Sequence, residues 1–226
     1  MILILNNKAN LTLKEVKNYE RKIRKYNLIV LPTACYLPIF QKGKYILGSQ
    51  DVSEFEEKNR TGEINVKQLK SLNVKYSLIG HSERRIYNKE TDKIILNKIN
   101  RCFENNITPL YCIGESNTKT KEDELKKQLD LVLNNYIDKE FYIVYEPLNN
   151  IGNKNPNLNA LEETINFIKN YIKEKKSKII KLIYGGGVNL SNIDYLTNIK
   201  ELDGIIISTE SLKIDILKKI YEKTRK

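Results

Sequence analysis

The sequence predicts a single α/β domain of eight strand–helix units, and three observations carry that expectation. Short apolar runs of strand length alternate with longer amphipathic stretches along the whole chain, with no linker or low-complexity break. The length, 226 residues, is normal for one closed parallel barrel, which typically takes about 250. Polar side chains gather just beyond the ends of the apolar runs, where parallel α/β folds bind ligands. Periodicity by itself fits a closed barrel and also a doubly wound open sheet.

The elements follow in order. The chain opens on Met1-Ile2-Leu3-Ile4-Leu5, and residues 2–6 read as strand one. That run has neither a basic leader nor a small-residue cleavage site, so it is not read as a targeting segment. Residues 13–25 show helical apolar spacing with charge between. Residues 28–31 form strand two, stopped by Pro32, which has no N–H to give to a ladder. Strand three spans 45–50, and a polar loop, 51–63, leads to a short helix at 66–72. Strand four, 75–80, ends at Gly80 and delivers His81, the only histidine in the chain. A helix at 92–104, strand five at 107–113 and a charged amphipathic helix at 122–136 come next. Strand six, 141–145, is followed by a long loop reaching residue 157 and a helix at 158–173. Strand seven, 179–184, runs into Gly185-Gly186-Gly187. A short helix at 192–197, strand eight at 204–207 and a helix at 212–223 close the chain.

Composition narrows the class. Apolar residues make up 40% of the chain, and the longest apolar runs, such as 28–31 and 205–207, have strand length, so no membrane span is expected. Cys35, Cys102 and Cys112 form an odd set without metal-ligand spacing, which suggests a reducing, cytoplasmic setting and no metal. Cys112 reads as a packing residue. The net charge of +11 comes largely from lysines spread along the expected helices, as at 121–127 and 173–178, with acids interleaved. A nucleic-acid partner would call for basic residues concentrated on one face with exposed aromatics, and is not expected. A positive field does favour a small anionic substrate, modestly.

Four strand ends supply groups that suit one chemistry. Asn6 and Lys8 lie two apart at the end of strand one, so their side chains share a direction. His81 follows strand four, Glu146 follows strand six in Tyr145-Glu146-Pro147, and the glycine-rich turn follows strand seven. A carboxylate, a neutral imidazole and a lysine converging on one cavity fit proton abstraction next to a carbonyl.

Gly80-His81-Ser82-Glu83-Arg84-Arg85 resembles the signature of the triosephosphate isomerase family, and further motifs lie in register over nearly the whole chain. Leu5-Asn6-Asn7-Lys8-Ala9-Asn10 is similar to the family's first motif, Tyr111-Cys112-Ile113-Gly114-Glu115 to its strand-five motif, and Tyr145-Glu146-Pro147 to the segment carrying the base. Gln50 and Thr61-Gly62-Glu63 resemble the loop that reaches a neighbouring subunit. Ile151-Gly152 resembles the closing lid, Tyr184-Gly185-Gly186 the loop it meets, and Asp203-Gly204 the approach to the last phosphate loop. The resemblance decides for a (β/α)8 barrel. It implies a cofactor-free, homodimeric isomerase of glycolysis and gluconeogenesis that assembles through loop 51–63 and acts on a small phosphorylated triose. In this family the mechanism is a standard example: a glutamate base, a neutral histidine that polarises the carbonyl, and a lid that excludes water. By motif position, His81, Glu146, Lys8 and Glu83 are then the catalytic set. Asn6, Lys8, Gly152, Gly187, Ser208 and Thr209 fall on the substrate-binding places.

The departures from the family pattern cluster at the lid and the phosphate loop. The lid opens Pro147-Leu148-Asn149 instead of Pro-aliphatic-Trp, and its far hinge, usually Lys-Thr-Ala, is Asn155-Pro156-Asn157. Gly187 stands where a serine is usual, and Ser208 and Thr209 stand where two glycines are usual, followed by Glu210. Asn7 replaces a tryptophan, and the chain has none. These changes leave two other readings: a paralogue that isomerises another small sugar phosphate, and a catalytically weak barrel with a binding or scaffold role. The joint presence of Asn6, Lys8, His81 and Glu146 argues against the second.

Overall fold

A computed structural model of the chain describes residues 1–57, 59–116, 119–148, 157–175 and 180–225. Eight parallel strands close into a barrel in sequence order: β1 (Ile2–Asn6), β2 (Ile29–Leu31), β3 (Ile46–Ser49), β4 (Tyr76–Ile79), β5 (Thr108–Ile113), β6 (Phe141–Tyr145), β7 (Ile180–Tyr184) and β8 (Gly204–Ile207). Pairing of β1 with β8, from Ile2 opposite Gly204 to Leu5 opposite Ile207, makes the closure and excludes the open sheet. Around it lie α1 (Leu13–Ile23), α2 (Val66–Ser71), α3 (Ser82–Tyr87), α4 (Asp92–Glu104), α5 (Lys121–Leu133), α6 (Leu158–Glu174), α7 (Ile193–Asn198) and α8 (Ile214–Thr224). Short 3-10 turns occupy Ala34–Ile39 and Thr209–Leu212.

Local chemistry sets the helix starts. Thr12 and Glu15 close a capping box on α1, with the Thr12 N–H donating to Glu15 Oε2 at 2.8 Å, and Asn65 and Gln68 do the same for α2. Helices α1 and α5 end short of their expected bounds, at Ile23 and Leu133, and three further elements differ from expectation. Helix α3 is six residues of Ser-Glu-Arg-Arg-Ile-Tyr with no apolar stripe, and it forms because His81 caps it. The turn at Ala34–Ile39 contains Pro38, which a full α-helix would resist. The last helix begins at Ile214, because residue 212 belongs to the preceding 3-10 turn.

The two-residue repeat of each strand sorts its side chains into two cores. Ile4, Ile29, Leu31, Leu78, Leu110, Cys112, Tyr142, Val144, Ile183 and Ile206 fill the inside of the barrel. Their chain neighbours, among them Leu5, Val30, Ile79, Tyr111, Ile143 and Ile205, pack outward beneath the helices. Two residues past the last interior side chain, the same repeat sets Asn6, Gly114, Glu146, Gly185 and Ser208 around the carboxyl-terminal mouth.

The opposite end is a polar floor. Asp203, just before β8, accepts from the Leu182 N–H at 2.8 Å, from Lys169 Nζ at 2.5 Å and from Lys181 Nζ at 3.3 Å. Its carbonyl also accepts the Ile2 N–H at 2.9 Å, so one residue ties β1, β7 and β8. Burial would raise its carboxyl pKa, but the bonds from Lys169 and Leu182 outweigh burial and hold it below the usual value. Beside it, the Tyr76 and Tyr142 hydroxyls meet at 3.3 Å with their rings 5.4 Å apart.

Candidate active site

At the mouth, the structure brings together Asn6, Lys8, His81, Glu83 and Glu146. Lys8 adopts φ of 48°, the left-handed region that a residue with a Cβ seldom occupies. Two bonds to its carbonyl, from Thr33 Oγ1 at 2.7 Å and Gln50 Nε2 at 2.9 Å, hold that conformation, while its N–H donates to Asn6 Oδ1 at 3.1 Å. Its ammonium meets Glu83 Oε1 at 2.5 Å. The simple alternation that pairs Asn6 with Lys8 therefore stops at Asn6, and a turned backbone carries Lys8 to its partner.

His81 ends the β4 segment and caps α3. Its Nδ1 accepts the Glu83 N–H at 3.3 Å, which uses the Nδ1 lone pair and assigns the ring proton to Nε2. That Nε2 lies 3.4 Å from Glu146 Oε2. Arg85 braces the strand end beneath, donating from Nε to the Gly80 carbonyl at 2.8 Å and from its guanidinium to the Cys112 carbonyl at 3.3 Å.

Glu146 is almost fully buried, and its Oε2 has no hydrogen-bond partner. Burial raises its pKa above 4.5; the neighbouring His81 and Lys8 act in the other direction, and Glu83 adds to the rise. Gly185 makes room for it: a Cβ there would stand 2.7 Å from Glu146 Cγ and Oε1, too close for any side chain. A carboxylate with a raised pKa, facing an N–H and an ammonium across a cleft, can take a proton from carbon while the donors stabilise the oxyanion that forms.

The remaining expected positions are distributed as follows. Gly187, with φ of 68°, turns the chain after β7, and its carbonyl accepts from Asn189 and Asn192, each at 3.0 Å. Ser208 follows β8 and Thr209 opens the 3-10 turn, exposed. Glu210 turns to Lys213 Nζ at 3.0 Å. Gly152, with Ile151, Asn149, Asn155 and Pro156, lies outside the described residues. Cys112 is buried inside the barrel, as a packing cysteine would be, and burial pushes its thiol pKa well up.

Sequence reasoning missed two supports. Lys98, Asp51, Glu90 and Arg84 form a partly buried ionic cluster that fastens loop 51–63 to α3 and α4, with Lys98 Nζ 2.7 Å from Asp51 and 2.6 Å from Glu90. Gln128 pinches Gly114, accepting its N–H at 3.0 Å and donating to its carbonyl at 2.9 Å. Only the Arg84 of the signature hinted at the first. At the site a cavity of about 580 Å³ is lined by Lys8, Gln50, His81, Glu83 and Tyr87, among others, and Tyr87 is 78% exposed. Among the described residues no group of three or more acidic, histidine or cysteine side chains could hold a metal, and no helix is long and apolar enough to cross a membrane.

Comparison with known proteins agrees with this geometry. The family model described as triosephosphate isomerase matches residues 1–224. The chain is similar to the triosephosphate isomerase of Buchnera aphidicola subsp. Cinara cedri, with 32% identity over 99% of this chain and 98% of that protein. It is 36% identical to the one from Buchnera aphidicola subsp. Baizongia pistaciae over 85% of this chain and 82% of that protein. Against the one from Clostridium botulinum the identity is 33%, over 93% and 94%. With the match running from the first strand to the last helix, the chain belongs to the triosephosphate isomerase family.

Proposed function

We propose that the chain interconverts dihydroxyacetone phosphate and D-glyceraldehyde 3-phosphate through an enediolate. The observation that carries this is the facing pair at the mouth, the Glu146 carboxylate against the His81 Nε2–H at 3.4 Å, with the Lys8 ammonium offsetting part of the rise that burial gives the Glu146 pKa. Glu146 takes the proton from C1 of the ketose, and the C1–H electrons form the C1–C2 double bond as charge moves to the C2 oxygen. His81 Nε2–H and Lys8 hold that oxygen, with Asn6 and the Glu83–Lys8 pair fixing where the ammonium stands. His81 Nε2 gives its proton to the C2 oxygen and takes the proton of the C1 hydroxyl. As Glu146 returns its proton to C2, the C1–C2 double-bond electrons form that C2–H bond while the C1 oxygen becomes the carbonyl. An approach of 3.4 Å leaves no room for two carbons between base and imidazole, so binding requires the carboxylate to move aside. A cavity of about 280 Å³ bordering Glu146, Ser82 and Gly114 offers that space.

Phosphate is assigned to backbone N–H groups at Gly187, Ser208 and Thr209, joined by Gly152. The Lys213 partner of Glu210 offsets part of the charge repulsion expected there. We read the protein as a cytoplasmic homodimer. In support, all three cysteines are free, the tip of loop 51–63 is exposed at Thr61 and Gly62, and the cavity beside Lys8 and His81 would receive a partner's tip. The paralogue reading draws on the altered lid sequence and on the side chains that Ser208 and Thr209 bring to the phosphate end. A coupled isomerase assay beside four- and five-carbon sugar phosphates separates the two: the triose should be preferred at least tenfold in kcat/KM, and a reversed preference sinks the triose assignment. A fully active monomer in micromolar sedimentation would remove the dimer.

A further inference from the structure

The ladder between β5 and β6 does not stop where the two strands do. Past Ile113 and Tyr145 it continues for two more bonds. The Glu146 N–H donates to the Ile113 carbonyl at 2.8 Å, and the Leu148 N–H to the Glu115 carbonyl at 3.1 Å. Alternate residues of a strand direct their backbone groups to opposite neighbours, so Cys112, Gly114 and Ser116 address the β4 side. There β4 ends at Ile79, and the chain leaves for α3 through Gly80, with φ of 71°. The extension of β5 therefore has no strand to bond on that side.

Side chains take the place of that strand. Arg85 donates to the Cys112 carbonyl at 3.3 Å. Gln128 Oε1 accepts the Gly114 N–H at 3.0 Å, and its Nε2 donates to the Gly114 carbonyl at 2.9 Å. Glu124 Oε2 accepts the Ser116 N–H at 2.9 Å. Glu124 and Gln128 are four apart in α5, which sets them about 6 Å apart along one helix face. Two residues of extended chain cover about 6.6 Å, so this face of α5 matches the repeat of the strand it replaces. A side-chain amide carries the donor and the acceptor of a peptide group, which suits Gln128 to bond both backbone groups of one residue. Gln128 is itself held, because its carbonyl accepts the Tyr111 hydroxyl at 3.1 Å.

At Gly114 this brace meets the chemistry. A Cβ there would fall on the Glu146 carbonyl oxygen and stand 2.8 Å from its carbon, so the two backbones are in direct contact. Gly114 and Gln128 also line the cavity of about 280 Å³ that borders the Glu146 carboxylate. We propose that Gln128 is a positioning residue for the base: by bonding Gly114 as a neighbouring strand would, it fixes the backbone from which the Glu146 carboxylate reaches the substrate. The inference rests on the reading of Glu146 as the base. Its signature is a loss in the chemical step and not in binding, since the Gln128 bonds run to Gly114 and Tyr111 and not to the groups assigned to phosphate.

The test compares Gln128→Met with the parent in the full chain, because methionine keeps the stem and removes both bonds. With glyceraldehyde 3-phosphate, kcat should fall roughly ten- to thirtyfold while KM stays within about twofold, as for a base displaced by a fraction of an ångström. Gln128→Glu keeps the acceptor for the Gly114 N–H and loses the donor, so its kcat should lie between the two; it carries the test if the methionine variant fails to fold. In a Glu146→Gln background, Gln128→Met should lower kcat by less than about twofold further, because it acts through the carboxylate. A merely structural brace would lower Tm and leave kcat at the parental value, and that result overturns the proposal. Full additivity with Glu146→Gln overturns it, and so does a raised KM at unchanged kcat. If the parent turns over no triose phosphate, the isomerase reading falls, and carbon-13 NMR of the Glu146 carboxyl then decides the brace. Gln128→Met should move its titration midpoint toward 4.5 as the carboxylate regains water, and an unmoved midpoint overturns the proposal.

Discussion

The two ends of the barrel each carry an acidic residue, half-buried at the floor and buried at the mouth, and the two are treated in opposite ways. At the floor, Asp203 is met by two lysines and a backbone N–H, and its pKa is lowered. At the mouth, Glu146 keeps an oxygen without a partner, and its pKa is raised. Glu146 follows β6 and Asp203 precedes β8, and β7 joins the two strands, pairing with β6 from Phe141 opposite Ile180 to Tyr145 opposite Tyr184 and with β8 at Ile183 opposite Gly204 and Tyr184 opposite Ile205. What differs is the supply of donors. A satisfied carboxylate fastens strands together and has nothing left to offer a substrate. An unsatisfied one costs stability and remains available to a proton on carbon, which is how barrels of this kind divide stability from chemistry.

That contrast can be broken most severely at the mouth. Glu146→Gln should lower kcat by about 10³-fold, within the range for loss of a general base, while Tm holds or rises, because a buried, poorly paired charge is removed. A matching loss of stability would make Glu146 a structural acid like Asp203. The next effect belongs to the floor. Asp203→Asn should cost about 1–3 kcal/mol in urea unfolding and leave kcat/KM within about twofold, since it strips charge-assisted bonds far from the mouth. A large activity loss with unchanged stability would erase the division.

The smallest effect is the pH dependence, and the two acids should show opposite signs. Glu146 has a folded pKa above its unfolded 4.5, so the native state holds that proton longer, and stability falls as pH rises from 4.5 through the folded value. Glu146→Gln should flatten that slope, and the acid limb of kcat/KM should lie above 4.5. Asp203 has a folded pKa below 3.8, so its contribution is present above 3.8 and is lost as pH falls through the lower value. Unfolding free energies measured from pH 3 to 8 on both variants read the two slopes, and parallel slopes would count against the contrast.

Much of this was legible in the chain because strands and mouth residues obey the same local rule. The runs at Ile2–Asn6, Phe141–Tyr145 and Gly204–Ile207 were expected at the bounds they have, and Asn6 and Glu146 follow from their positions. The closed barrel was not legible from periodicity, since pairing of β1 with β8 joins the two ends of the sequence and leaves no local trace. Helix α3 was missed because its formation depends on a cap from His81 and on salt bridges from Arg84 to Asp51 and Glu90.

The two-residue repeat of the strands also governs which changes of length the chain can survive. Deleting one residue from the middle of β6 would exchange its two faces, drive Tyr145 into the barrel and point Glu146 at the helices, whereas deleting two would restore the facing at the expense of reach. Loops on the helical side carry no such odd-or-even constraint. Lengthening and shortening of this chain over generations should therefore be confined to connections such as 51–63, with the eight strands keeping a fixed count between floor and mouth.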